Sequence, residues 1–258
     1  MNDSRNTVSK ALLVLFRLVE SGRPLGIQSL ASETGLNAST VHRLLQTLVV
    51  ERMASYDAVS RAYSVGGESI RFATMTLGGR SPVGRMRPVV QDVARRLGET
   101  CAFYRYEPTT RTMVATVVEH GPKPLGYSYD VGERSGVHAG ASGRAILAFL
   151  PGEDIDAVLA GPLERLTENT YVEPKRLRAE LGRVVERGYA VSHSERSEHG
   201  CGVAVPVVSA GGRVVGSLGL SIPKFRFQPA RAPRIAKALV LAAKELAGTV
   251  DFDGEAML

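Results

Sequence analysis

The segment from Ile27 to Gln46 constrains this chain more tightly than any other. Ile27 to Thr34 reads as a short helix, Gly35 stops it, and Asn37 stands where a following helix, running to about Arg52, needs an N-cap. Two helices crossing at a turn require a small residue at the crossing, a residue tolerant of positive φ at the turn, and apolar residues that hold the second helix down. Ala31, Gly35, and the set Leu36, Val41, Leu44, Leu45 and Leu48 supply these in order. With that set turned inward, the opposite stripe is Ser39, His42, Arg43 and Gln46, with Thr40 and Thr47 beside it. Arg bonds guanine, Gln bonds adenine, and Ser or Thr holds phosphates or base edges, so the stripe has the chemistry of a helix that reads the major groove. A solvated helical hairpin is the plain alternative, but no Asp or Glu enters the stripe before Glu51.

The flanks complete a compact unit. Val8, Ala11, Leu12, Leu15, Leu18 and Val19 recur at helical spacing over residues 7–20, and Gly22 and Pro24 end that helix. After the second and third helices, Met53–Tyr56 and Ala62–Val65 read as a hairpin. Arg61 at its tip either reaches a phosphate or the minor groove as a wing does, or faces solvent. Gly66 and Gly67 close the unit, a helix carrying Ile70, Ala73 and Leu77 follows as a linker, and another runs from Val83 to Leu97. Between 71 and 100, Arg71, Arg80, Arg85, Arg87, Arg95 and Arg96 face only Asp92 and Glu99, a basic belt that suits a solvated helix face or a DNA backbone.

From Glu99 strands alternate with helices. Thr100–Tyr106, Met113–Glu119 and, more weakly, Leu125–Val131 read as strands, and Gly143–Leu150, Glu153–Leu159 and Pro174–Arg187 as helices. Tyr189–Ser194, Gly202–Ser209 and Arg213–Ile222 are further strands, the last two joined by Gly211 and Gly212 as a two-residue loop, and a helix over Ala230–Thr249 closes the chain. The class is α+β with an antiparallel or mixed sheet. The expected division is 1–67, a linker helix over 68–80, and 81–258.

Composition excludes several classes. At 258 residues, 44% hydrophobic and 22% charged, the chain is long enough for two folded domains and too apolar for disorder. Two cysteines, Cys101 and Cys201, cannot staple it, no apolar run reaches membrane-spanning length, and the apolar run from Ala11 is stopped by Arg17, so a cytoplasmic location is expected. A net charge of +6 permits nucleic-acid binding. Enzyme signatures fail: Gly200-Cys-Gly202 has Val205 where a dinucleotide loop needs its third glycine, and Gly140-Ala-Ser-Gly143 is one residue short of a nucleophile elbow. His193, Glu195, His199 and Cys201 match no metal-ligand spacing, so neither metal, cofactor nor catalytic residues are expected.

Across Thr7 to Leu246 the order of elements resembles the IclR family of bacterial transcriptional regulators. The resemblance rests on Leu36-Asn-Ala-Ser-Thr-Val-His-Arg-Leu-Leu45, Ala62-Tyr-Ser-Val-Gly66, Leu97-Gly-Glu-Thr100, His138-Ala-Gly-Ala-Ser-Gly-Arg-Ala145, Arg187-Gly-Tyr189 and Val203-Ala-Val-Pro-Val207. It implies a winged helix-turn-helix joined by a linker helix to a GAF-like effector-binding domain, in a homodimer or a dimer of dimers. Such a protein binds a pseudo-palindromic operator and answers to a small-molecule effector, as a repressor in preference to an activator. DNA-binding residues are then Ser39, Thr40, His42, Arg43, Gln46, Thr47 and Arg61. The family's ligand-facing positions fall on Gly140, Ala141, Ser142, Glu195, Gly202, Gly219 and Ser221. Two departures stand near them: Gly136 where the family commonly has Pro, and Gly-Cys-Gly at 200–202. The alternative class is a small-molecule-processing enzyme with an appended DNA-binding module.

The chemistry of the effector follows from a helix expected to start near Gly143. Amides of Ala141, Ser142 and Gly143 would point into the space before it, a place that attracts anions, while Gly200, Gly202, Gly216 and Gly219 thin the facing strands beside Ser217 and Ser221. An organic acid, held by its carboxylate, is the expected ligand.

Overall fold

The computed structural model describes residues 6–78 and 81–250. They divide into two compact units, with the division between Ser81 and Pro82.

The N-terminal unit begins with α1 (Thr7–Ser21), capped by Asn6, whose side chain accepts from the Ser9 amide, and ended by Gly22 at φ +60°. Next come α2 (Ile27–Thr34), Gly35 at φ +70°, and α3 (Ala38–Val50), whose Thr40 amide donates to the Asn37 side chain at 2.8 Å. The recognition helix therefore starts where expected and ends two residues early, because Arg52 turns the chain at φ +56°. Val14, Leu18, Leu30, Val41, Leu44 and Leu45 form the centre of its core. Strands β1 (Ala54–Asp57) and β2 (Ala62–Val65) pair antiparallel, and α4 (Gly67–Leu77) follows. Gly66 is required at their junction: a Cβ there would lie 2.2 Å from the Arg52 carbonyl, which is the acceptor for the Glu68 amide. The linker helix spans 67–77, shorter than expected, since Gly78 is extended at ψ 161°.

The second unit is a six-stranded antiparallel sheet, in the order β5-β4-β3-β8-β7-β6, with helices on both faces. In chain order its elements are α5 (Pro82–Leu97), β3 (Thr100–Glu107), β4 (Thr112–Glu119), β5 (Arg134–Gly136), α6 (Gly140–Leu147), α7 (Gly152–Ala160), α8 (Pro174–Arg187), β6 (Ala190–His193), β7 (Gly200–Val208), β8 (Val214–Pro223) and α9 (Ala232–Thr249). Period-2 alternation assigns each strand two faces. Phe103, Val203, Val205, Leu218 and Leu220 pack with Met86, Val90, Val93, Ile235 and Leu239 of α5 and α9. Their neighbours Ala102, Tyr104 and Ala204 pack with Ile146, Leu147, Leu177, Leu181 and Val184 of α6 and α8. Pro206 fits within β7 because it lies beyond the end of short β6, which pairs only as far as Ala204, and so needs no amide on that edge.

Three expectations change here. Residues 125–131 form no strand; the edge strand is Arg134–Gly136, and the segment before it crosses the surface as an irregular strap. Five residues, 209–213, connect β7 to β8; there the Gly212 amide donates to the Ser209 carbonyl and Gly212 takes φ +79°, so Gly212 alone supplies the left-handed turn expected of a glycine pair. Helix α6 starts at Gly140, three residues earlier than expected, because Gly140 at φ +80° turns the chain into the first turn.

Candidate functional site

On α3 the residues facing away from the core are those singled out for groove reading. Ser39, His42, Arg43, Gln46 and Thr47 are exposed and Thr40 is half-buried, while Val41, Leu44, Leu45 and Leu48 are buried beneath them. The Ser39 hydroxyl donates to the Asn37 side chain and that of Thr47 to the Arg43 carbonyl, whereas among the described residues no acid pairs with Arg43. Arg61 is exposed at the wing tip with φ +53°, in a turn whose Asp57 accepts from the Val59 amide and the Ser60 hydroxyl. The Ser60 bond, then the Val59 bond, hold the Asp57 carboxyl below its usual range. The basic belt is mostly paired: Arg71 with Glu68, Arg87 with Glu119, and Arg95 and Arg96 both with Asp92. Arg80 lies outside the described residues.

The second unit holds a small cavity of about 40 Å³ between the N-terminus of α6, the ends of β6, β7 and β8, and the strap. Small residues on the α6 face of the sheet make it possible. Ala141 sits over Gly202, where a Cβ would approach it to 3.2 Å, and Ser142 over Gly219, where a Cβ would come within 2.4 Å of its hydroxyl. Of the residues singled out from sequence, Gly140, Ala141, Ser142, Gly202 and Ser221 line the cavity. Gly219 lies beneath Ser142 and does not itself line it. Gly216 serves close packing instead, its missing Cβ answering the Tyr104 carbonyl at 2.1 Å.

Glu195 does not line the cavity. Its carboxylate accepts from the Gly140 amide at 3.2 Å and from the Arg144 guanidinium, and both side chains are buried. Arg144 also donates to the Val191 carbonyl and lies over the Tyr171 ring at 4.9 Å. The first amide of α6 is thus already taken by an internal carboxylate, which leaves the amides of Ala141 and Ser142 as the open part of that helix end.

Tyr104, Tyr127, Tyr129 and Arg196 complete the walls, none of them singled out from sequence. Tyr127 and Tyr129 come from the strap, stacked at 5.8 Å, and Tyr104 from β3 meets Tyr129 edge-on. The Tyr129 hydroxyl donates to Ser221 at 3.1 Å, and those of Tyr127 and Ser197 lie 2.8 Å apart. Burial raises the pKa of Tyr104 and Tyr129, so both remain neutral hydrogen-bonding groups. The strap is pinned at its other end: Thr100 donates to the Tyr127 carbonyl at 2.6 Å, and Glu99 accepts from both Lys123 and Arg226. The alternation Tyr127-Ser-Tyr129 was the available signal, and reading it as a strand hid its inward aromatic edge.

His138 hydrogen-bonds the Glu164 carbonyl through Nε2 at 2.9 Å, and a Cβ at residue 136 would lie 2.8 Å from its Nδ1, a close approach that glycine at 136 permits. Cys201 borders the cavity and Cys101 is buried in the sheet. Among the described residues no group of three or more His, Cys, Asp or Glu side chains converges, and no helix is long and apolar enough to cross a membrane.

A helix-turn-helix with an exposed polar stripe in one unit and a polar cavity in an α+β unit are the parts of a ligand-responsive DNA-binding regulator. Comparison with known proteins gives the family. Residues 7–58 match the IclR helix-turn-helix domain, and residues 79–247 match the bacterial transcriptional regulator IclR C-terminal domain. The chain is 27% identical to the HTH-type transcriptional regulator BhcR of Paracoccus denitrificans over 91% of this chain and 84% of that protein. It is 26% identical to KipR of Bacillus subtilis over 98% and 100%. An IclR transcriptional regulator from Alicyclobacillus acidocaldarius superposes with a TM-score of 0.86 at 26% identity, over 94% of this chain and 98% of that one. This chain belongs to the IclR family of bacterial transcriptional regulators.

Proposed function

We propose that this regulator binds a pseudo-palindromic operator as a homodimer or dimer of dimers in the cytoplasm, and that a small organic acid in the cavity of the second unit changes its operator affinity without being turned over. In this reading residues 1–67 bind DNA, 68–80 link, and 81–258 receive the effector. Ser39, Thr40, His42, Arg43, Gln46, Thr47 and Arg61 meet the DNA, and repression is favoured over activation. The effector must bind two arrangements of the dimer unequally, because equal affinity shifts nothing.

The observation that carries the effector assignment is the convergence, on one cavity, of the α6 helix end, Ser142, Ser221, three tyrosines and Arg196. The Ala141 and Ser142 amides, with the Ser142 hydroxyl, would take the carboxylate, and the tyrosines its carbon skeleton. A thermal-shift screen of carboxylic acids tests this, since a ligand at about 100 times its Kd adds about 2.7 kcal/mol of stability. Ser142→Asp places a fixed negative charge beside the bound acid and should weaken its binding about tenfold or more, the worth of a charged hydrogen bond. Unchanged affinity in that variant would show that the anion is held elsewhere.

The dimer is supported by α1. Val8, Leu12, Phe16 and Val19 form an exposed apolar stripe beside the face of buried Val14, Leu15 and Leu18. A stripe of this kind fits a second copy of itself across a two-fold axis, the symmetry a palindromic operator mirrors. Phe16→Glu should shift the protein toward its monomer mass of 27.6 kDa in sedimentation. If the variant keeps the parent's assembly state, the stripe is not the interface.

A further inference from the structure

Among the described residues lining the cavity, Arg196 is the one that carries a positive charge. Gly140 fixes where that charge sits: a Cβ there would lie 2.7 Å from the Arg196 Cδ, so the aliphatic stem lies along the first turn of α6. The guanidinium therefore stands at the cavity wall, near enough to Tyr104 and Tyr129 to act on the charge of both. There its Nη2 donates to Glu133 Oε1 at 3.1 Å.

Glu133 belongs to the far end of the strap that carries Tyr127 and Tyr129. Its backbone is held, with the Glu133 carbonyl accepting from the Ala115 amide at 3.0 Å and the Gly132 amide donating to the Ala115 carbonyl at 2.7 Å. Its side chain is 40% exposed and can swing into water without unfolding the strap. The contrast with Glu195 is sharp. That carboxylate occupies the first amide of α6, is buried, and is neutralised by Arg144, so it has nowhere to go. Of the two carboxylates near the cavity, the buried Glu195 is fixed and the exposed Glu133 is displaceable.

We propose that Arg196 is a two-state anchor. In one state it holds the Glu133 side chain at the end of the strap; in the other the carboxylate of the effector takes the guanidinium and Glu133 is released to solvent. This rests on the reading of the cavity as the effector site and adds how that site selects and signals. A half-exposed ion pair contributes little, whereas a forked guanidinium–carboxylate contact shielded by three tyrosine rings is strong and directional, so the exchange favours an acid over its neutral analogue. It also gives the effector a differential interaction, since the Arg196–Glu133 pair is present in only one of the two states.

The test uses the full chain and three probes, benzoate, 4-hydroxybenzoate and succinate, each with its uncharged amide, read as thermal shift and titrated affinity. At least one acid should stabilise the wild type and its amide should not. Arg196→Gln should weaken that acid about tenfold or more, while Glu133→Gln should tighten it about two- to fivefold by removing the competitor. Opposite responses to changes in two paired side chains separate an anchor from a general structural defect, which would weaken both. Wild-type affinity in Arg196→Gln, weaker binding in Glu133→Gln, equal binding of an amide, or no response to any acid in the set would each overturn the proposal. Gly219→Leu, which must displace Ser142, separates the two levels: acid binding that survives it unchanged lies outside the cavity, and then the effector-site reading itself fails.

Discussion

Arg144→Ala should destabilise the second unit by about 3 to 5 kcal/mol, because it leaves the Glu195 carboxylate as an uncompensated buried charge. For a domain of this size that is a fall in Tm on the order of 10 °C. Arg144 is 0% exposed and Glu195 3%, so water cannot replace the lost partner in place. Burial itself pulls the Arg144 pKa below the usual arginine range, yet an arginine remains charged at neutral pH and must be answered by a negative group. The pair joins three cavity walls: the first turn of α6 through the Gly140 amide, β6 through the Val191 carbonyl, and the loop leading to Arg196 through Glu195 itself. Thr167 and Thr170 hold the same loop from the other side, donating to the Ser194 and Glu195 carbonyls at 2.6 and 2.7 Å. Removing both charges as Arg144→Met with Glu195→Met should recover much of the loss, since well-packed apolar side chains replace a buried pair at little cost. Chemical denaturation of the two variants measures it. A loss under 1 kcal/mol in Arg144→Ala would mean that Glu195 finds another cation.

Arg43→Ala should weaken binding to the specific operator by about 5- to 150-fold, the worth of about 1 to 3 kcal/mol for a bidentate arginine on guanine, and weaken binding to random DNA much less. The geometry favours base reading over a purely structural role. Arg43 is exposed one turn into α3, on the face opposite Val41, Leu44, Leu45 and Leu48, with no acid among the described residues to hold it back. Titration of the variant against operator and random duplexes at one salt concentration separates the alternatives, because a phosphate contact would lose affinity equally on both.

The two sites differ in how far they could be read in advance. The exposure of the stripe proposed to read the groove was legible because the argument for it is local. Val41, Leu44, Leu45 and Leu48 recur at helical spacing, so the period that buries them exposes Arg43 and Gln46. The caps were local too: Asn37 bonds an amide three residues on, and Gly35 takes the positive φ the turn demands. The central strands followed from the same kind of signal at period 2, as in the alternation of Leu218 and Leu220 with Gly219 and Ser221. The α+β class, with a sheet antiparallel or mixed, and the small residues under α6 were therefore visible as sequence; the structure shows the sheet antiparallel throughout.

Tertiary structure decided the rest of the cavity. The strap has no periodicity of its own and is shaped by distant partners, Thr100 on Tyr127, Arg226 on Leu125 and Ser221 on Tyr129, which no window along the chain can contain. Glu195, expected at the ligand, turns inward because a buried arginine 51 residues earlier and an unpaired helix amide both require a carboxylate there. The next residue, Arg196, is sent outward to the cavity wall in consequence. A periodic pattern states which face of an element is buried, and the chain alone determines that. Which charge meets which across a fold depends on long-range packing, and only the folded structure settles whether a carboxylate serves the ligand or the scaffold.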